Sequence, residues 1–396
     1  MKIIGMKNIV EGSVIARPIY DENMQLLINK GVVLSMSSID KLQSRGYKYI
    51  YIQEEGTENI EPEEEPVSVE VSRSVVSEVG TAFSNMRKLS GREMNALKAV
   101  SDRLTLQGKF QNLMNKGAFW KNAIKLVEKL FYRNKPSISS FSLSLIGTSP
   151  LSHAMDVTVL TILLGQRFHY DMKELIGLAT ACLLHDSGMQ LLPDILNKPY
   201  FLLNEEELEA YKSHPRLGYK LLDALSSFTP IQTQTILQHH ERQDGKGFPL
   251  ALKGNNDEPY KIRRPLRQHI FRWAEIITVA DRYVRHCSGD LSEVPKSPQE
   301  SIACLINESG EVLNETVVKE IGNVINIFPR GVVVKVTNSK DPAIIGFEGV
   351  VAKENQKYRD RPQIILLRTK KGNKIQPRLI DLEDDSQAKL ELLFNP

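Results

Sequence analysis

Seven residues in the middle of the chain carry side chains suited to holding cations: His153, the adjacent pair His185 and Asp186, His214, the adjacent pair His239 and His240, and Asp281. Each lies in, or at the end of, an apolar stretch that reads as helical. An imidazole or carboxylate buried there is costly unless it is paired or metal-bound. Five of the chain's eight histidines belong to this set. A single histidine on an apolar helix is more often a satisfied core residue than a ligand, but seven residues of these types on successive helices are hard to obtain by packing alone. Converging on cations satisfies them together, and the interior of a helical bundle is where such sites are built. Adjacent helical residues point roughly 100° apart, so the His185–Asp186 dyad can send its imidazole to one ion while Asp186 bridges to a second. A mixed imidazole and carboxylate set favours manganese, iron or zinc over magnesium. Two such ions would polarise a phosphoryl group and bring a bridging water towards ionisation at neutral pH, which is phosphodiester hydrolysis without a protein nucleophile.

The elements that must position these residues read as five helices. Ser149 and Pro150 supply an N-cap and a first-turn proline for a helix through LSHAMDVTVLTILLGQRF. KELIGLATACLLHD is a second helix ending near Gly188, with Cys182 in its apolar run, and NEEELEAYKSHPRLGYKLLDAL is a third that begins after Asn204 and is interrupted at Pro215. IQTQTILQHHE is a fourth, running into the glycine-rich DGKGFP, and FRWAEIITVADRYVRH is a fifth. DGKGFP reads either as a plain turn or as part of a pocket wall. His169, His269 and His286 belong to no such set and read as surface or loop histidines, and Phe119 and Trp120 as core.

At 396 residues the chain has room for two or three domains. With 41% apolar and 25% charged residues it has the composition of an ordinary folded protein. A formal net charge of +3 gives no warrant for binding DNA or anionic lipid over the whole surface. Three cysteines without a CxxC pair suit a reducing compartment. No stretch approaches the roughly 18 apolar residues of a membrane span and the first residues lack a signal-peptide core, so the expected location is cytoplasmic.

The expected architecture is multi-domain: a central all-α bundle flanked by a small N-terminal α+β module and a small β-rich C-terminal domain. Residues 1–55 read as short strands and turns with one helix, SSIDKLQSRG. Residues 56–66, with their run of glutamates, read as a solvated acidic linker. Residues 67–140 are helical in pattern, either a connector or the start of the bundle, and such helices suit a homodimer. The bundle proper spans 141–325. Residues 328–396 carry the strands RGVVVKVT, FEGVVAKE and QIILLRT, followed by a short acidic helix.

HAMDVTVL, LLHDSG, LPDILNKP, HPRLGYKLL, ILQHHERQDGKGFP and ITVAD, in this order and spacing, resemble the HD-GYP branch of the HD phosphohydrolase superfamily. The resemblance implies an HD-type bundle that hydrolyses cyclic di-GMP, or a related cyclic dinucleotide, to pGpG or GMP with two divalent transition-metal ions, iron or manganese. It implies that His153, His185, Asp186 and Asp281 hold one ion and Asp186, His214, His239 and His240 the other, with Asp186 and His185 central to catalysis. Gly247, Phe248, Pro249 and Arg285 would contact substrate, and the GFP-containing loop and flanking domains would offer surfaces to protein partners. A third-metal glutamate of some members is replaced here by Ser149. The family's lysine after the HD pair is Met189, its second aspartate is Val284, and Asp290 and Glu293 stand where cationic contacts would fall. Arg282, Arg285, Lys246 or Lys296 would have to supply the replacement cation. These departures keep an alternative open: a degenerate member that binds metal and nucleotide but acts as a regulator or interaction module, or a phosphohydrolase with another nucleotide substrate.

Overall fold

A computed structural model of the protein describes residues 1–61, 63–89, 97, 113–133, 138–139, 149–225, 227–259, 269–355 and 357–393. The expected start of the bundle at 141 lies outside them. In chain order the elements are β1 (Lys2–Gly5), β2 (Ile19–Tyr20), β3 (Leu26–Ile28), α1 (Met36–Ser44), β4 (Tyr49–Ile52), α2 (Val69–Arg87), α3 (Lys116–Phe131) and β5 (Ile138–Ser139). There follow α4 (Pro150–Arg167), α5 (Met172–Leu183), α6 (Glu205–Ala224), α7 (Pro230–Gln238), α8 (Arg272–Ser288), α9 (Pro298–Glu308) and α10 (Glu315–Val324). The last are β6 (Ile325–Asn326), β7 (Val333–Asn338), β8 (Glu348–Lys353), β9 (Gln363–Arg368), β10 (Lys374–Asp381) and β11 (Lys389–Leu392).

Local chemistry sets where the helices begin. Capping boxes open α5 (Asp171 with Glu174), α6 (Asn204 with Glu207), α7 (Thr229 with Gln232) and α9 (Ser297 with Glu300), each satisfying otherwise orphaned backbone donors. Ser149 and Pro150 do start α4, but the serine hydroxyl makes no cap; it donates to Glu22 Oε2 of the N-terminal module at 2.5 Å. Every residue of α4 from Val157 to Gly165 is buried, as in a helix enclosed on all sides. Phe83 and Met86 of α2 and Phe119, Leu126 and Leu130 of α3 share one apolar core with Leu160, Leu178 and Ile277, so these two helices pack as part of the bundle.

Two features of the flanks differ from expectation. The N-terminal hairpin and the C-terminal sheet are not separate bodies: Met1, Ile3, Tyr49 and Tyr51 pack in one core with Val334, Val336, Ile364 and Leu366, and the Ile3 amide donates to Gly331 O at 2.7 Å. Glu58, Glu61, Glu64 and Glu65 of the acidic segment are exposed, as expected, but the segment is also pinned at several points. Thr57 and Ile60 are buried, Glu65 pairs with Arg17 at 2.5 Å, and Glu63 accepts the Arg330 amide at 3.1 Å. Composition measures what a segment can bury by itself, and here neighbouring elements cover those points. The C-terminal sheet is antiparallel in the order β10-β9-β8-β7-β11. Where an acidic helix was expected, Asp385 anchors a turn by accepting from Ser339 Oγ, Lys340 N and Gln387 N, and the chain returns as β11 along β7.

His169 and His269 are exposed. His286, expected at the surface, is buried in the last turn of α8 with Nε2 3.5 Å from Glu308 Oε1, because α9 covers that face. No helix among the described residues is long and apolar enough to cross a membrane.

Glu275 of α8 ties the bundle to the loop after α7. Its Oε1 accepts from Gln243 Nε2 at 2.8 Å and from Asn314 Nδ2 at 3.2 Å. Burial pushes its carboxyl up to about 7, against the two hydrogen bonds. Because the folded value lies above the unfolded one, the stability held at acid pH is lost as pH rises through about 7. Glu275→Gln is expected to flatten the dependence between about pH 5 and pH 8 and to stabilise the protein at the upper end by on the order of 3 kcal/mol. Denaturant unfolding across that range measures it, and an unchanged slope would refute the assignment.

Candidate metal centre

The bundle brings all seven residues to one place. His153 lies in the first turn of α4, and His185 and Asp186 lie just past α5. His214 sits within α6, His239 caps α7 with His240 next to it, and Asp281 lies within α8. They form two groups, Asp186, His214, His239, His240 and His153, His185, Asp281, in each of which the donor atoms lie within 4.8 Å of one another. Asp186 faces both. Its Oδ1 is 3.2 Å from His214 Nε2 and 3.6 Å from His239 Nε2, while its Oδ2 is 3.4 Å from His185 Nε2 and 3.6 Å from His153 Nε2.

Three imidazoles are aimed by the same device. Nδ1 of His185 bonds to Cys182 O at 2.7 Å, Nδ1 of His214 to Tyr211 O at 2.6 Å, and Nδ1 of His239 to Ile236 O at 2.7 Å. A carbonyl only accepts, so Nδ1 carries the hydrogen, and in the neutral ring Nε2 presents a lone pair. The accepting carbonyls are available for identifiable reasons. Ile236 lies at the C-terminal end of α7, where carbonyls run out of intrahelical donors, and Cys182 lies at the end of α5, where its carbonyl takes the His185 amide at 3.2 Å and has a second lone pair for the ring. Tyr211 is mid-helix, but the residue four positions on is Pro215, which has no N–H to give it. The expected break at Pro215 does not occur: α6 runs unbroken from Glu205 to Ala224, with a histidine side chain in place of the missing backbone donor.

Two glycines allow the close approach that joins these elements. A Cβ on Gly188 would lie 1.9 Å from His214 O and 2.8 Å from Gly218 N, and one on Gly218 would lie 2.9 Å from Ser187 Oγ. The turn after Asp186 therefore rests directly on α6 beside His214. Sequence reasoning used Gly188 only as a helix end and passed over Gly218; the available signal was a glycine two residues after one site residue and another a full turn after a second.

The donor set fits a metal. Nε2 of His214 and of His239 are 3.2 Å apart, two lone pairs facing each other, an arrangement that a shared cation resolves. Nε2 of His153, Nε2 of His185 and Oδ1 of Asp186 are buried without a hydrogen-bond partner among the described residues. Burial, with help from neighbouring imidazoles, lowers His239 to about 4 and holds His240 well below its ordinary value, so both are in the neutral, ligating form. Burial opposes charge on His185 too, but the adjacent Asp186 outweighs it and raises the imidazole, so a metal there must displace a proton.

The other expected contacts divide. A cavity beside the centre is lined by His153, Asp186, Met189, Tyr211, Val284, Arg285 and Asp290, among others. Gly247, Phe248 and Pro249 are not among the lining residues. Phe248 stacks on His240 with ring centroids 4.8 Å apart, and a Cβ on Gly247 would lie 2.5 Å from Glu241 Cα, so the GFP turn buttresses His240. Arg282 is taken by Glu308 in a bidentate pair at 2.7 and 2.9 Å, and Lys246 and Lys296 do not line the cavity. Lys198 lines it but pairs with Glu207 at 2.6 Å, which leaves Arg285 as the cation against the centre. Tyr211, not singled out from sequence, packs between His214 and His240, its hydroxyl 3.2 Å from His240 Nε2.

Pro215→Ala returns an N–H to the Tyr211 carbonyl in competition with His214. The metal-free protein is expected to gain stability, by up to about 3 kcal/mol of helix propensity, while affinity for Mn²⁺ falls ~10–100-fold as the imidazole loses its anchor. Thermal melting and calorimetric titration measure the two effects, and an unchanged Mn²⁺ affinity would separate the proline from the site.

Comparison with known proteins adds an independent line. The HD domain family matches residues 121–317, a stretch containing all seven converging residues. The cyclic di-GMP phosphodiesterase PdeB of Borreliella burgdorferi is 25% identical over 196 residues, 50% of this chain and 48% of that protein. The cyclic di-GMP phosphodiesterase response regulator RpfG of Xanthomonas campestris pv. campestris is 37% identical over 94 residues, 23% of this chain and 25% of its own. This chain thus spans less than half the length of either relative. The solved structure of Bd1817, a HDG"Y"P protein from Bdellovibrio bacteriovorus, aligns at 19% identity with a TM-score of 0.44 over 81% of this chain and 98% of that one, a likeness that carries no argument of its own. The order of motifs, the family match and the curated relatives agree: residues 121–317 form a domain of the HD family, with motifs that resemble its HD-GYP branch.

Proposed function

We propose that this HD domain is a metal-dependent phosphodiesterase that hydrolyses cyclic di-GMP to pGpG or GMP. The observation that carries the reading is the division of Asp186 between two groups of imidazoles, one carboxylate oxygen turned to each. His153, His185, Asp186 and Asp281 would hold one ion and Asp186, His214, His239 and His240 a second, iron or manganese by the softness of the donors. Such ions supply, when bound, a nucleophile from water near neutral pH and polarisation of the phosphoryl oxygens.

The chain's own residues bind and orient. Tyr211 and Phe248 hold the His240 ring between them, with Phe248 in the stacked arrangement. The adjoining cavity is lined by polar residues, Asp186, Arg285 and Asp290 among them, and by apolar ones that include Met189 and Val284. Its cationic contact to a phosphate is Arg285, in place of the lysine that Met189 replaces. The assignment of cyclic di-GMP follows the names of the curated relatives.

A second reading, a metal-binding regulator without turnover, is favoured by the same two features: Met189 cannot donate to an anion, and Arg285 is already engaged by carboxylates. One experiment separates them. The full chain, purified anaerobically with iron or manganese, is expected to retain metal and to convert cyclic di-GMP to a linear product followed by chromatography. Asp186→Asn is expected to lose metal and lower turnover at least ~100-fold with its circular dichroism unchanged. Bound metal with nucleotide binding but no product selects the regulator, and absence of metal under both conditions refutes both readings.

A further inference from the structure

Arg285 follows Asp281 by one turn of α8 and is 8% exposed. Its Nε lies 2.8 and 2.9 Å from the two oxygens of Asp281, its Nη2 3.1 Å from Asp186 Oδ2, and its Nη1 2.5 Å from Asp290 Oδ2. The guanidinium also lies over the Tyr211 ring, 5.8 Å from its centroid. Three nitrogens thus address three carboxylates. Two of these carboxylates are ones the His153 half needs, and the oxygens used are the ones that face it: Asp281 Oδ1 is 2.9 Å from His153 Nε2, and Asp186 Oδ2 is the oxygen turned to His153 and His185. The other half differs. Among the described residues no lysine or arginine hydrogen-bonds to Asp186 Oδ1, His214, His239 or His240.

A guanidinium stays charged at any pH a folded protein meets. An ion entering the His153 half must compete with that charge at both carboxylates, while one entering the His214 half meets three imidazoles and an unpaired oxygen. We propose that Arg285 is a built-in cation that makes the two halves load unequally: the His214 half binds its ion first and tightly, and the His153 half binds one only as the guanidinium gives up Asp281 and Asp186. Asp290 gives the displaced guanidinium a place to remain. It holds Nη1, while its Oδ1 accepts the Tyr200 amide at 2.9 Å and its carbonyl the Phe201 amide at 3.3 Å, which fixes it to the cavity wall. Arg285 is in this sense a positioning residue for the metals, a role that rests on the metal-centre reading above.

The test is calorimetric titration of the metal-free full chain with Mn²⁺, paired with elemental analysis of bound metal. The unaltered protein is expected to show two dissociation constants at least ~100-fold apart, and Arg285→Met two that lie within ~10-fold. His239→Ala is expected to abolish the tight event and His153→Ala to leave it in place. Should Arg285→Met fail to fold, with Asp290 left unpaired, Arg285→Met/Asp290→Asn removes the pair together and is held to the same expectation. Two equivalent tight ions in the unaltered protein, or a variant that keeps the wild-type gap, overturn the inference while leaving the metal centre intact. No Mn²⁺ in any of these proteins overturns the inference and the centre together.

Discussion

The centre depends on one interaction repeated three times: an imidazole Nδ1–H bonded to the carbonyl three residues earlier, at 2.6 to 2.7 Å. Without it each ring could turn about its side-chain bonds and exchange its two nitrogens, and no fixed set of lone pairs would exist. The bond needs a carbonyl with a lone pair to spare. α5 and α7 supply one by ending at the site, and α6 supplies one by carrying a proline. Helix lengths, the position of Pro215 and the direction of the imidazoles are therefore a single constraint. The Gly188–Gly218 contact completes it by letting the three carbonyl-anchored rings meet at Asp186.

The convergence of the seven residues was readable from the sequence because they are expensive to bury alone, and their order along apolar helices left few other ways to satisfy them. Helix starts were readable where side chain and backbone cooperate, as at Asn204 and Glu207. Other features escaped. Pro215 was read as an interruption because propensity treats the lost hydrogen bond as uncompensated, whereas His214 uses the freed acceptor. The points that hold residues 56–66, at Thr57, Ile60 and Glu63, escaped because composition does not reveal which foreign surfaces lie nearby. His286 was placed outside because the burial of a helix end depends on the next helix, not on its own pattern. The acidic C-terminal stretch read as helical locally but is held as a turn by Asp385, after which the chain pairs with β7 as β11.

The charge balance around Asp281 and Asp186 is where this chain parts most clearly from the pattern it resembles. On α8, Val284 stands where the resemblance would place a second aspartate, and Arg285, beside it, aims a cation inward at Asp281 and Asp186. Asp290 then returns a negative charge on the cavity side. These charges balance one another, since Arg285 pairs with Asp281, Asp186 and Asp290 together and no member of the group is buried unpaired. Met189 also lines this cavity, packed with Ile195 and Tyr211, and contributes an apolar surface to it.

The shared core of the first and last segments has a mechanical meaning. With β1 and β4 packed on the C-terminal sheet, the polypeptide closes on itself, and the helices between are carried inside that closure like a span fixed at both abutments. Tension applied at the β1 end is borne first by the seam at Ile3 and Gly331 and only afterwards by the helices that aim the imidazoles. The N-terminal module also reaches the bundle directly, where Ser149 Oγ donates to Glu22 and Lys48 Nζ to the Cys287 carbonyl, so the module bears on α4 and α8, the helices that carry His153 and Asp281.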